Sequence, residues 1–261
     1  MALLNPTPDS FDFSMTSVLG SNSPFHPQLA PFDASVYLPG GTDPIMTLEI
    51  PGVHARNGAV TTITGQHITL TNQKGFTEYT TAVVKNKTVT FTLKGRTGLK
   101  LGTLPSTPVN YDTTITMAGM NSLSNTTIAS FRLANPPEPD GTNLLANVSI
   151  PNPTVQTIEL GTLYMSMYTR ANDSVPLVAL GNGTVANVTL RPGQNILPLR
   201  AINNLSTVLA VVGENPKFLT EGLPVVVKTD KNTVNGVEIP YLSQALQANV
   251  LTIPLNVSSA I

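Results

Sequence analysis

The sequence predicts an all-β protein made of two tandem immunoglobulin-like β-sandwiches, each with a short helix. Three observations point there. Apolar and polar residues alternate with a period of two in stretches such as "KTVTFTLK", residues 87–94. Thr, Val, Asn and Ser are abundant, and 22 prolines and 19 glycines accompany them, a mixture suited to strands and tight turns. The order of elements in the first half also recurs in the second.

Residues 1–24 receive no firm place. Phe11, Phe13 and Met15 alternate like a first strand, but prolines at 24, 27 and 31 interrupt, so the segment reads as uncertain or disordered. The first sandwich is expected over residues 25–121. It opens on "APFDASVYLP" (30–39), carries a helical pattern in "GFTEYTTAVVK" (75–85) and continues in the strand "TVTFTLKG" (88–95). It closes on "TTITMAG" (113–119), preceded by "LPSTPVNYD" (104–112), whose two prolines predict a loop.

The second sandwich is expected over 122–258. Here "NPTVQTIELG" (152–161) aligns with "APFDASVYLP", pairing Pro153 with Pro31, Ile158 with Val36 and Leu160 with Leu38. A helical pattern in "LSTVLAVVG" (205–213), the strand "LPVVVKTD" (223–230) and the strand "NVLTIPL" (249–255) follow in the same order. Leu242, Ala245 and Leu246 have helical spacing and predict an extra helix with no counterpart in the first half. Asn235-Gly236 predicts a type I′ hairpin turn; the surrounding "DKNTVNG" resembles a calcium loop but lacks its closing bidentate Glu. "NPPEPDG" (135–141) reads as a rigid exposed connector, with polyproline recognition as the alternative.

One stretch, "NVSIPNPTVQTIELG" (147–161), concentrates the structural motif Pro151, Asn152, Pro153, Glu159 and Gly161. Two residues that cannot donate a backbone hydrogen bond suit a strand edge or a switch between sheets. Apolar parity runs through Ile158 and Leu160, then shifts to Leu163, Met165 and Met167, which predicts a one-residue bulge at Gly161. Glu159 then faces outward beside Thr157 as a solvated or edge-guarding acid, with a binding role as the alternative.

Eight Asn-X-Ser/Thr triplets occur, at Asn86, Asn125, Asn147, Asn172, Asn182, Asn187, Asn204 and Asn256. Strand parity turns Asn86, Asn147, Asn187 and Asn256 outward, the third because Ala186, Val188 and Leu190 point inward. The other four fall in expected turns or loops. These are candidate N-glycosylation sites on a lumenal or extracellular surface, the alternative being triplets incidental to a Thr- and Asn-rich sheet. The chain shows no signal-peptide pattern and no apolar window near 18 residues, so such a location requires an upstream membrane anchor.

Composition narrows function. Charged residues make up 11% and the net charge is −1, so a nucleic-acid partner is not expected. Cysteine is absent, which removes disulfides and thiolate metal sites. His26, His54 and His67 are scattered with no metal-ligand spacing, and no phosphate-binding, dinucleotide or nucleophile-elbow motif occurs. No cofactor, metal or catalytic residue is assigned.

"ANVSIPNPTVQTIELGTL", then "VTLRPGQNILPL", then the helix and "VVVK" resemble a family of fungal proteins built from tandem late-embryogenesis-abundant (LEA) type-2-like domains, which implies that the two β-sandwiches are of the LEA type-2-like kind. The resemblance runs from about Ala30 onward and rests on Asn152-Pro153, Glu159-Leu160-Gly161 and the turn from Leu190 to Asn195. It implies a non-cytosolic region of a membrane protein, related to vacuolar-membrane proteins that help terminate autophagy; this chain departs by lacking the family's transmembrane helix. Three functions stay open. The first is a noncatalytic scaffold or interaction module that meets other β-sandwich domains or membrane proteins. The second is a lipid- or apolar-ligand-binding sandwich with Leu163, Met165 and Met167 lining a gap, and the third a glycan-active enzyme.

Overall fold

The computed structural model describes residues 1–20, 22–170 and 175–256. The first half runs β1 (Ala2–Leu4), β2 (Ser10–Leu19), β3 (Gln28–Leu29), β4 (Phe32–Tyr37), β5 (Met46–Ile50), β6 (Val53–His54), β7 (Ala59–Thr69), α1 (Gln73–Lys85), β8 (Thr88–Lys100) and β9 (Thr107–Ala118). A 3-10 turn, Asn121–Leu123, leads to β10 (Thr127–Leu133), β11 (Leu144–Asn152), β12 (Thr157–Thr169), β13 (Val178–Leu190) and β14 (Gly193–Asn203). Then come α2 (Leu205–Glu214), α3 (Phe218–Glu221), β15 (Leu223–Val234), β16 (Val237–Glu238), α4 (Pro240–Gln247) and β17 (Val250–Leu255). Strands hold 55% of the chain and helices 15%, so the fold is mostly β, with sandwich-like sheets and few short helices, as predicted.

The pairings repeat. In the first half β2 pairs β7, β4 pairs β5 and β8, and β8 pairs β9. In the second, β11 pairs β14, β12 pairs β13 and β15, and β15 pairs β17. All these pairs are antiparallel, and the inward side chains of each strand meet a facing layer. Val89, Phe91 and Leu93 of β8 are buried while the threonines between them are not, which is the predicted alternation.

Four expectations are corrected. Residues 1–19 are not disordered: Phe11 and Phe13 are fully buried in β2, and Phe11 stacks on Phe76 of α1 with ring centroids 5.0 Å apart. "LPSTPVNYD" is a loop only in its first part, because β9 begins at Thr107; Pro108 is accommodated because, among the described residues, β9 pairs on one side only, with β8. Asn182 lies within β13, paired with Ser166 and Ile202, and not in a loop. Ala186 is exposed and Val185 takes the inward place, since the backbone at Asn187 turns to φ 54° and shifts the parity by one residue.

The halves also share a sheet. β1 pairs β2 on one side and runs parallel to β12 on the other, with Ala2 opposite Thr157 and Leu3 opposite Ile158. The sheet formed by β1, β2 and β7 therefore continues into the strands of the second half. Helices α1 and α4 add a second tie: Thr80 Oγ1 donates to the Tyr241 carbonyl at 2.9 Å, and Tyr241 packs edge-on against Phe76.

The 147–161 stretch now has its physical account. β10 has ended by Ser149, so β11 is unpaired on that side beside Pro151. Asn152 is fully buried and organises the turn: its Oδ1 accepts from the Thr154 amide at 2.9 Å, and its Nδ2 donates to the carbonyls of Gln156 (2.7 Å) and Leu190 (3.2 Å). The ladder between β12 and β13 slips at Gly161, which has φ 67°. A Cβ there would lie 2.2 Å from the Thr233 carbonyl oxygen, so only glycine fits the bulge. Glu159 is half-exposed, and its Oε2 accepts the Asn5 amide at 2.7 Å, which pins the loop between β1 and β2 to β12.

Candidate functional site

Helices α1 and α2 occupy the same place in the repeated order and meet the core differently. α1 starts where Asn72 Oδ1 accepts the Gly75 amide, and it buries Phe76, Tyr79, Val83 and Val84. Phe76 packs against Phe11 of β2 and Tyr241 of α4, and Tyr79 against Phe91 of β8. α2 starts in the same way, with Asn204 Oδ1 accepting the Thr207 amide at 3.2 Å, but none of its residues is buried. Val208, Val211 and Val212 are half-buried, and Leu209 is 68% exposed, on a helix with no charged residue before Glu214. An apolar helix of this kind is ordinarily covered on all sides.

Beneath α2 lies an apolar cavity of about 180 Å³. Phe131 of β10, Met167 of β12, Leu199 of β14, Val208 and Val212 of α2 and Leu255 of β17 contribute to its wall. Leu209 lines the cavity and is also largely exposed, so the opening lies at α2. An apolar cavity of ~150 Å³ can stay dry and admit benzene, so this space suits part of an apolar ligand without movement of the wall. Of the three side chains expected to line a gap, Met167 does so; Leu163 is in the closed core and Met165 is half-buried away from the cavity.

Among the described residues, the one polar residue in the wall is Asn203. Its backbone is held by Asn143, whose Oδ1 accepts the Asn203 amide at 2.8 Å and whose Nδ2 donates to the Asn203 carbonyl at 2.7 Å. Its Oδ1 is buried and has no partner among the described residues. The missing side chain of Gly181 makes room for it, since a Cβ there would lie 2.8 Å from that oxygen. An orphaned buried acceptor costs about 1–3 kcal/mol. Sequence reasoning missed Asn203 because nothing separates it from the exposed asparagines around it except the cavity it adjoins.

The other candidate residues are dispersed. Asn86, Asn125, Asn147, Asn182, Asn187, Asn204 and Asn256 are all exposed; Asn172 lies outside the described residues. Asn147 Nδ2 donates to Ser130 Oγ at 3.0 Å, and Asn204 is the cap of α2. The histidines are less scattered than expected: His26 and His54 border one open groove together with Arg56, while His67 pairs with Asp12 at 3.1 Å. The Asp12 carboxyl is held below its usual range by hydrogen bonds from Asn5 and His67. Glu138 and Asp140 both accept from Arg200 Nη2, the second at 2.9 Å, which ties down the proline-rich connector. Asn235 and Gly236 form the expected left-handed hairpin turn between β15 and β16, with φ 51° and 81°.

Residues 43–167 match a family described as a protein of unknown function, DUF3712. The matched stretch takes in α1, the turn between the halves and most of β12, and ends before α2. No curated protein matches the chain.

Proposed function

We propose that this chain is a noncatalytic binding protein of two tandem sandwich units, divided near residue 121, and that its second unit takes an apolar ligand beneath α2. The observation that carries this reading is the apolar cavity covered by a helix that buries none of its own residues. Helix α1, at the same place in the order of the first half, buries Phe76 and Tyr79, whereas α2 lies over an open cavity. The resemblance to tandem LEA type-2-like domains of fungal membrane proteins is compatible with a lipid as the ligand and with a vacuolar or extracellular setting. Exposure of all seven described sequon asparagines supports a lumenal surface that carries glycans.

The test uses the full chain and N-phenyl-1-naphthylamine, a dye that brightens in apolar surroundings. Saturable enhancement at about one site per chain, abolished when Val212→Phe fills the cavity, is the expected result. Enhancement that never saturates, or that survives the filled cavity unchanged, overturns the reading.

A second reading, a scaffold that recruits other sheet proteins, is favoured by β9. Among the described residues this strand of twelve residues pairs only with β8, leaving a long edge for strand addition. A proline placed at Thr114 would abolish such an association while sparing dye binding.

A further inference from the structure

We infer that the end of the first half opposite its junction with the second docks on an anionic lipid surface. Phe25 and Leu104 enter the headgroup layer, and Arg56 and Lys100 meet its charge. The inference stands apart from the cavity beneath α2 and does not depend on it.

Strand register gathers distant residues at this end. Gln28 of β3 lies opposite His54 of β6 on one side and Lys100, the last residue of β8, on the other, so three strands carry His54, Gln28 and Lys100 in one row. The Pro27 carbonyl accepts the Ala55 amide at 2.8 Å, and His26, His54, Arg56 and Val60 border one groove. The junction lies away from it: β1 pairs Asp12 to Ser14 of β2, and α1 follows the far end of β7.

Two properties coincide here. Among the described residues, Val18, Phe25, Val60 and Leu104 are the large apolar side chains that residues 1–121 leave exposed, at 59–66% each. All four lie at this end: Val18 faces Val60 across β2 and β7, Phe25 precedes β3, and Leu104 follows β8. The same end is cationic. The stretches that build it, residues 13–32, 50–77 and 79–111, contain no Asp or Glu. Neither Arg56 nor Lys100 forms an ion pair among the described residues. Apolar side chains on separate connections, interleaved with cations, suit a headgroup layer, where the first reach the acyl boundary and the second meet anionic lipid. Pro24 and Pro27 restrict the backbone around Phe25, which lowers the cost of holding it there.

The experiment floats the full chain with phosphatidylcholine vesicles, with and without phosphatidylserine at about 30 mole per cent. The expected result is binding about tenfold tighter to the anionic vesicles. Arg56→Gln combined with Lys100→Gln should weaken it about thirtyfold, whereas Arg56→Lys with Lys100→Arg should keep it, which separates charge from folding. Phe25→Ser should weaken it about tenfold. Ile196→Ser, which removes a side chain 65% exposed in the second half, should leave it unchanged. No binding to anionic vesicles, equal binding to neutral ones, or equal loss in Ile196→Ser and Phe25→Ser overturns the inference. A dimer in sedimentation equilibrium that Phe25→Ser dissolves, with vesicles unbound, assigns this end to a second copy of the chain and overturns it as well.

Discussion

Gln156 Nε2 donates to Tyr79 Oη at 2.7 Å, in a place fully closed to solvent. Tyr79 belongs to α1 and Gln156 to the turn before β12, so this one bond crosses between the halves of the chain. Met117 Sδ is the second partner of the amide nitrogen, at 3.2 Å, and Gln156 Oε1 has no partner among the described residues. Tyr79→Phe should cost about 1–3 kcal/mol in urea unfolding, because it leaves a buried donor with only a sulfur partner. Adding Gln156→Leu should recover most of that loss, since both polar groups then leave together; additive losses would show that the two do not interact.

The same tyrosine makes stability depend on alkaline pH. Burial pushes its phenol from 10.0 up to about 12, partly offset by the bond from Gln156, and burial raises Tyr241 in the same direction. A pKa higher in the folded state means that the contribution is complete below pH 10 and disappears as pH rises from 10 through 12. For Tyr79 alone the loss amounts to about 3 kcal/mol. Urea midpoints measured from pH 9 to 12 should fall, and fall less steeply in Tyr79→Phe.

Gly161 carries the bulge that sets the parity of β12. Gly161→Ala would combine a left-handed backbone with a Cβ driven into the Thr233 carbonyl, at an expected cost of about 2–4 kcal/mol. Because Leu163 and Met167 depend on that register, dye binding beneath α2 should weaken along with the unfolding midpoint. A neutral Gly161→Ala would refute the bulge.

Arg200 holds the 135–141 connector against β14. The Asp140 carboxyl is lowered to about 2, first by the Thr142 amide and then by Arg200. A depressed pKa places the benefit above pH 3.8, to be lost as pH falls towards 2. Arg200→Gln should lower the hydrogen-exchange protection of the Thr142 amide at neutral pH, and acid should do the same in the unmodified protein. Equal protection in both proteins would show the clamp to be idle.

Asn204 starts the cover helix. Asn204→Ala removes the acceptor for the Thr207 amide, with an expected loss of about 1 kcal/mol. The dye should then associate faster, as α2 frays at its first turn. An unchanged association rate would separate the helix from ligand entry.

Much of the fold could be read from the residues, for identifiable reasons. Alternation in β8, helical spacing in α1 and α4, and the parity slip at Gly161 are local signals, and each reappears in the structure where it was expected. What stayed hidden depends on distant partners. The strand pattern of Phe11 and Phe13 was visible, but its place was set by β7 and α1. The order of elements equated α1 with α2, whereas only packing shows that one is buried and the other lies over a cavity. Asn203 and the groove shared by His26, His54 and Arg56 are products of folding, with no spacing in the chain to announce them.

The parallel pairing of β1 with β12 also has a consequence for synthesis. Asn5 and Glu159, which secure that junction, are 154 residues apart. At ~5–20 residues per second, a ribosome takes about 8–30 s to make the intervening chain. For that interval β1 has an open edge, and the first half waits unfinished with a strand ready to pair with whatever it meets. The ordering of this protein in a cell is thus tied to the arrival of its own middle, and a chaperone that shields the N-terminal hairpin would act within that window.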